Sequence, residues 1–196
     1  METPFGRGLT EPSGAPRVLP AAAVSAQMPP LAGAGANMTD LPVDTSFTGA
    51  EFTGGCQCGR VRYRATMEPE GVNYCHCRMC QRAVGNLFAA LAGVRRDRLE
   101  WTAGAPAIFE SSSSAERGFC RDCGTPLFFR YKASENCNLT VGSFDHPERL
   151  KPELHYGIES RVPWHAIGDN LPREPTNMAD PRLAGMRSFQ DRADVN

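Results

Sequence analysis

The chain lacks an excess of charge of either sign: 21 basic residues face 22 acidic ones, a formal net charge of −1 with the histidines neutral. That balance, with no clustered basic patch, argues against non-specific partners such as nucleic acid or a membrane surface. Long hydrophobic runs are equally scarce, and none approaches the roughly 18 apolar residues of a membrane helix. The apolar stretch Val18 to Ala26 does not read as a secretory leader. Pro20 interrupts it, and Glu2 and Glu11 accompany Arg7 and Arg17 ahead of it, where a leader wants a basic segment and a clean apolar core. In a chain that is not secreted, the sequon Asn138-Leu139-Thr140 carries no meaning. The expected location is therefore the cytoplasm, and the eight cysteines are read as reduced thiols.

No internal repeat of useful period is present, and helical periodicity is short. Residues 1–46 stand apart in composition: seven of the sixteen prolines fall in the first fifty residues, among many Ala and Gly. Such a stretch buries too little apolar surface to offset its ordering entropy and is expected to be a disordered extension. Met38-Thr-Asp-Leu offers an alternative start. Residues 47–175 are expected to form the folded domain, and residues 176–196 a loosely ordered tail.

Short strand signals fill the domain. From Arg60 to Thr66 the chain alternates strictly, with Val61, Tyr63 and Ala65 on one face and Arg60, Arg62 and Arg64 on the other. Leu87–Val94, Ala107–Glu110, Glu116–Phe119, Pro126–Tyr131 and Asn138–Val141 add further strands, punctuated by Gly, Pro and Ser. Only Arg78–Val84 and His146–Leu150 suggest helix. The expected class is mainly β, with short antiparallel strands and one or two short helical segments.

What is abundant is cysteine, and it is grouped. Seven of the eight fall in three motifs: Cys56-Gln-Cys58, Cys75-His-Cys77-Arg-Met-Cys80 and Cys120-Arg-Asp-Cys123. Zinc takes tetrahedral thiolate and imidazole ligands, and structural sites are closed by four. On a strand, i and i+2 share a face, so Cys56 and Cys58 can present both sulfurs together. Gly124, after Cys123, tolerates the positive φ of a tight knuckle. Cys56, Cys58, Cys120 and Cys123 then make a closed site across about sixty residues, tying metal binding to folding.

Cys75, Cys77 and Cys80 remain, one ligand short of closure, which is the arrangement of catalytic zinc. Cys80 sits near the start of the expected helix, where the helix end, Arg78 and Arg82 favour thiolate. Disulfides and iron–sulfur ligation are the competing readings, disfavoured by the compartment and by the spacings. Cys137 stands alone and is expected to be buried. His76 can replace a ligand, but alternation turns it to the opposite face. His165, beside Trp164 and Pro163, is either a packed turn residue or a support behind the site.

Gly54-Gly-Cys-Gln-Cys-Gly-Arg-Val-Arg-Tyr63, Cys75-His-Cys-Arg-Met-Cys-Gln81, Gly118-Phe-Cys-Arg-Asp-Cys-Gly-Thr-Pro-Leu127 and Ser160-Arg-Val-Pro-Trp-His165 together resemble the glutathione-dependent formaldehyde-activating enzyme family. The domain is shared with centromere protein V. The resemblance covers about residues 50–175, in the family's motif order, and does not include the N-terminal extension. It implies a zinc-stapled β-tent, with one structural zinc on Cys56, Cys58, Cys120 and Cys123 and a second zinc on Cys75, Cys77 and Cys80, which with only three protein bonds is expected to be the catalytic and more labile one. It also implies a carbon–sulfur lyase that joins glutathione and formaldehyde as S-hydroxymethylglutathione or cleaves the adduct, in formaldehyde detoxification.

The residues are consistent with that chemistry. Three thiolates on Zn²⁺ leave a net charge of −1, a poor Lewis acid for water but suited to a soft fourth ligand such as a substrate thiol. Coordination lowers the thiol pKa, and the thiolate could then attack an aldehyde. Arg60, Arg62, Arg64, Arg78, Arg82 and Arg161 are candidates for the substrate's carboxylates. The alternative reading is a zinc-stabilised interaction module, or a glutathione or aldehyde carrier without turnover. No oligomeric state follows from the sequence.

Overall fold

A computed structural model of the chain describes residues 49–67 and 71–189. The disordered extension expected over residues 1–46 lies outside the described residues. The architecture is mainly β, in two sheets. The smaller is β1 (Glu51–Gly55), β2 (Arg62–Thr66) and β5 (Leu99–Ala103), in the order β1-β2-β5 and antiparallel throughout.

The larger sheet adds β3 (Val72–Cys75), β4 (Ala89–Arg95), β6 (Ala107–Glu110), β7 (Ala115–Phe119), β8 (Pro126–Tyr131), β9 (Asn136–Thr140), β10 (Leu154–Tyr156) and β11 (Arg173–Glu174). Its order is β11-β10-β3-β4-β9-β8-β7-β6. The pairings β10 with β3 and β10 with β11 are parallel, so this sheet is mixed rather than purely antiparallel. The single α-helix among the described residues is α1 (Arg78–Val84). The segment expected as a second helix is a 3₁₀ turn, Pro147–Arg149.

Alternation in β2 does what its sequence predicts. Tyr63 and Ala65 are buried against Phe52 of β1, while Arg64 stays exposed. These side chains join Met67, Val72, Val94, Leu127, Phe128, Leu139, Phe144 and Leu150 in the main core. Tyr63 brings a hydroxyl into it. Ser143 Oγ donates to the Thr140 carbonyl at 2.8 Å, so the Tyr63 hydroxyl donates to Ser143, also at 2.8 Å. The buried polar atom is thereby satisfied.

The same ring explains Gly54. A Cβ at this position would lie 2.4 Å from the Tyr63 ring and hydroxyl and 2.5 Å from the Ser143 carbonyl oxygen. Gly55 is similarly pressed, 2.3 Å from the Val61 carbonyl oxygen. Gly54 lets the chain pass close under Tyr63, and Gly55 lets it pass close to Val61 and Arg62, just before Cys56.

Helix α1 is too short to stand alone in water. It rests on a second, smaller cluster in which Cys75, Cys80, Ala89 and Leu91 pack with Val84 and Tyr156. Gly85 ends it in the left-handed conformation, its N–H reaching the Gln81 carbonyl. The buried Gln81 side chain donates to the carbonyls of His76 at 2.6 Å and Ser160 at 2.9 Å. Residues 176–189 run back along the domain: Thr176 bonds Glu159, Asn177 N–H reaches the Tyr156 hydroxyl, and Phe189 N–H reaches the Ser111 carbonyl.

Gly54→Ala should destabilise the domain by about 1–3 kcal/mol through this overpacking. Gly142→Ala, where an added Cβ meets no atom of the described residues within 4 Å, should leave the thermal midpoint unchanged. Equal midpoints for the two variants would show that the Tyr63 contact is not what demands glycine.

Candidate metal and thiol sites

Four sulfurs meet where two turns face each other. Cys56 and Cys58 lie in the turn from β1 to β2, and Cys120 and Cys123 in the turn from β7 to β8. Cys58 therefore sits beyond the strand, not on it, and the turn rather than strand alternation brings the Cys56 and Cys58 sulfurs to 3.4 Å. Gly59 at φ 75 and Gly124 at φ 76 close the two knuckles, a backbone region open to glycine at little cost. The Gly59 N–H donates to Cys56 O at 3.0 Å, and the Gly124 N–H donates to Cys120 O at 2.9 Å. Gln57 N–H bonds Thr125 Oγ1 at 3.1 Å, locking one knuckle to the other.

Cys58 and Cys120 sulfurs are 3.7 Å apart, and all four lie within 4.8 Å of one another. Sulfurs about 2.3 Å from a tetrahedral zinc stand roughly 3.8 Å apart, so this donor set fits such an ion.

The protonation of Cys56, Cys58 and Cys123 points the same way. The Thr125 hydroxyl and backbone pull Cys123 down to about 6. Burial pushes Cys56 up, but the Val61 N–H and the neighbouring thiols outweigh it and lower it. The Arg60 N–H pulls Cys58 down, yet its sulfur neighbours push it up to about 12. Such a cluster cannot ionise fully without a cation among its sulfurs.

Cys75, Cys77 and Cys80 form the second group, their sulfurs also within 4.8 Å of one another. Cys75 ends β3, Cys77 caps α1 and Cys80 lies in its first turn. The Cys75 thiol donates to Cys77 at 3.5 Å. Cys75 is pushed up by its hydrogen bonds to Cys77 and Cys80. Cys77, drawn down by Cys75 but raised by Cys80 and burial, stands at about 11. Cys80 is held well below the ordinary thiol range by Cys75, Cys77 and a guanidinium.

That guanidinium belongs to Arg117 on β7, whose Nη2 lies 3.4 Å from Cys80 Sγ. The arginines expected to favour this thiolate are placed otherwise. Arg78 donates to the Gln81 side chain, and Arg82 faces a cleft. Arg117 escaped detection because it is 37 residues from Cys80 and reaches it only after β7 joins the sheet. It lies over the Phe129 ring at 4.8 Å, stacked on its cross-strand neighbour.

Three of the arginines considered for a substrate's carboxylates are already paired: Arg60 with Asp122, Arg62 with Asp145, and Arg64 with Glu51 and Glu100. Arg82 and Arg161 make no ion pair among the described residues.

His76 turns away from the sulfurs between which it sits. It is buried with His155, whose Nδ1 lies 2.8 Å from His76 Nε2, and His155 Nε2 lies 3.0 Å from both oxygens of Asp169. Burial pushes Asp169 up, but the His155 hydrogen bond, the Leu171 N–H and Arg173 outweigh it and hold it below the usual range. The ionised carboxylate therefore accepts from His155 Nε2–H, and behind it the His155 Nδ1 and His76 Nε2 atoms share one hydrogen bond. Phe88 packs against both His76 and His165, which makes His165 a packed residue on this side of the strand. Cys137 is fully buried, its thiol pushed up to about 12 by burial.

These features describe a mainly β domain with two clusters of thiols able to hold metal. The model of the glutathione-dependent formaldehyde-activating enzyme family matches residues 51–160. With more than half of the chain covered, the protein belongs to that family. It is 31% identical over 86 residues to an uncharacterized lyase of Schizosaccharomyces pombe, covering 44% of this chain and 62% of that one. It is 26% identical over 125 residues to a Penicillium rubens protein provisionally named a glutathione-dependent formaldehyde-activating enzyme, covering 63% and 60%. The chain thus spans about three-fifths of the length of these relatives. A crystal structure of a Rhodobacter sphaeroides protein aligns with a TM-score of 0.41 at 23% identity, over 47% of this chain and 87% of that one. Among the described residues no helix is long and apolar enough to cross a membrane.

His155→Ala should cost about 1–3 kcal/mol, because it strands a buried donor and a carboxylate. The depressed Asp169 contributes stability that is present above the ordinary carboxylate value and lost as pH falls through its folded value. The thermal midpoint should therefore fall less steeply below about pH 4 in Asp169→Asn than in the parent. Parallel acid limbs would remove this carboxylate from the account.

Proposed function

We propose that the protein is a zinc-dependent lyase that forms or cleaves the carbon–sulfur bond of thiol–aldehyde adducts, with glutathione as thiol and S-hydroxymethylglutathione as the family's adduct. The observation that carries this reading is the three-sulfur cluster of Cys75, Cys77 and Cys80, one ligand short of closure, beside the four-sulfur cluster of Cys56, Cys58, Cys120 and Cys123. In the closed cluster zinc would be structural. In the open one zinc, when bound, supplies a soft position that keeps a substrate sulfur as thiolate near neutral pH. Cys75, Cys77 and Cys80 hold that position, and Arg117 balances the negative charge that builds up around Cys80. In the forward direction the thiol S–H is lost, the S–C bond forms, and the proton goes to the former carbonyl oxygen. A reducing compartment, the cytoplasm, suits eight cysteines that are all unpaired.

Purified reduced protein should carry between one and two zincs per chain and no visible chromophore; iron-linked absorbance near 420 nm would overturn the zinc assignment. Cys77→Ala should fold, keep about one zinc and lose thiol–aldehyde turnover measured above the spontaneous reaction. Cys123→Ala should lose its fold with its metal. If Cys77→Ala keeps full activity, or calorimetry finds no heat with millimolar glutathione, the enzyme reading yields to an interaction module stabilised by zinc.

A further inference from the structure

Beside the three-cysteine cluster lies a cleft of about 470 Å³ between α1 and the β6–β7–β8 end of the large sheet. Val84, Phe109, Phe119 and Phe129 are among its walls, and no acidic side chain is among its described lining residues. Its rim holds Phe109, 56% exposed, and Ile108, 47% exposed, two of the four large apolar side chains that the described residues leave in solvent. Two guanidiniums face it. Arg82 makes no ion pair among the described residues, and Arg117 spans the gap between the cleft and Cys80. Arg117 Nε is also a buried polar atom with no hydrogen-bond partner among the described residues. Phe109, Arg117 and Phe129 are cross-strand neighbours and so form one row across β6, β7 and β8, with Arg117, which reaches Cys80, at its centre.

A formaldehyde adduct would place one hydroxylated carbon on the sulfur, which leaves most of a cleft this size, and its aromatic walls, without a counterpart. Ligand pockets for whole organic molecules occupy about 300–1,000 Å³ and are walled in this way. We propose that the cleft seats an aryl-sized apolar group carried on the substrate's sulfur, so that the adducts this site handles are those of a bulky apolar aldehyde. The inference rests on the thiol–aldehyde reading above and names its substrate class. The thiol's carboxylates complement Arg82, while the apolar group lies along Phe109 and Phe129. Cleavage of such an adduct, RS–CH(OH)–Ar, breaks the C–S bond. The sulfur keeps the electron pair and gains a proton, the hydroxyl loses one, and the thiol and ArCHO are released.

The test is equilibrium binding, by calorimetry on the full chain with its metal, of S-benzylglutathione and S-methylglutathione. Each lacks only the hydroxyl of the benzaldehyde or formaldehyde adduct, and neither can turn over. The benzyl compound should bind about tenfold or more tightly than the methyl one. Replacing both exposed rim residues, Ile108→Ala with Phe109→Ala, should collapse that ratio, and Arg82→Ala should weaken both ligands alike. Equal affinities in the parent, absence of binding by both, or a ratio that survives the rim replacement would overturn the proposal. Benzyl-selective, rim-dependent binding without turnover of any thiol–aldehyde adduct would instead overturn the enzyme reading and leave the cleft's ligand class standing.

Discussion

Thiols crowded within one another's reach cannot all give up their protons unless a cation stands among them. That constraint governs this domain twice. At the junction of the two sheets, sulfurs 62 residues apart in sequence, on Cys58 and Cys120, approach to 3.7 Å. The turns that carry them have little apolar surface of their own to bury. Hydrogen bonds such as Gln57 N–H to Thr125 Oγ1 align the two turns, but they do not relieve the electrostatic cost of ionising four sulfurs together. A cation fitted to four thiolates removes that cost and makes the turns part of one cooperative unit.

The two clusters are built differently, and the difference bears on what each can do. The four-sulfur group is made from two glycine-closed knuckles, each tied by its own backbone hydrogen bonds and joined by Gln57 N–H to Thr125 Oγ1, so its donors are fixed by local chain geometry. The three-sulfur group is assembled from a strand end and a seven-residue helix resting on a small cluster of its own. Arg117, arriving from another part of the sheet, brings a positive charge where another knuckle would have brought a fourth sulfur. A closed set with local support suits architecture, and an open set with a long-range cation suits binding a further ligand.

Those features that depend on neighbours in sequence were legible from the chain alone. Alternation marked β2, the boundaries of α1 match the expected Arg78–Val84, and the spacing of the cysteines singled out both groups that the fold brings together. What stayed hidden depends on pairing at a distance. β3 is only four residues long, and β10 and β11 are shorter still. Their parallel pairing is decided by register against partners tens of residues away, for which no local pattern exists. His155 and Asp169 look unremarkable in sequence because their partnership forms only after β10 settles beside β3. Arg117 was hidden for the same reason, whereas Arg78 and Arg82 drew attention through proximity in the chain.

The register of β3 against β10 links these separate observations. Cys75 pairs with Tyr156 on one face, and Tyr74 pairs with His155 on the other, where the His76 ring also lies. The segment that presents sulfurs to the open cluster is thus held from behind by a buried string of hydrogen bonds ending on an ionised carboxylate. A one-residue slip would turn the cysteines into the aromatic layer and the histidines towards the sulfurs. It would also break the polar string and bury its members unpaired. The penalty on the histidine face therefore fixes the geometry on the cysteine face, which is how a site on a four-residue strand and a two-turn helix can be held in place without a long element of its own.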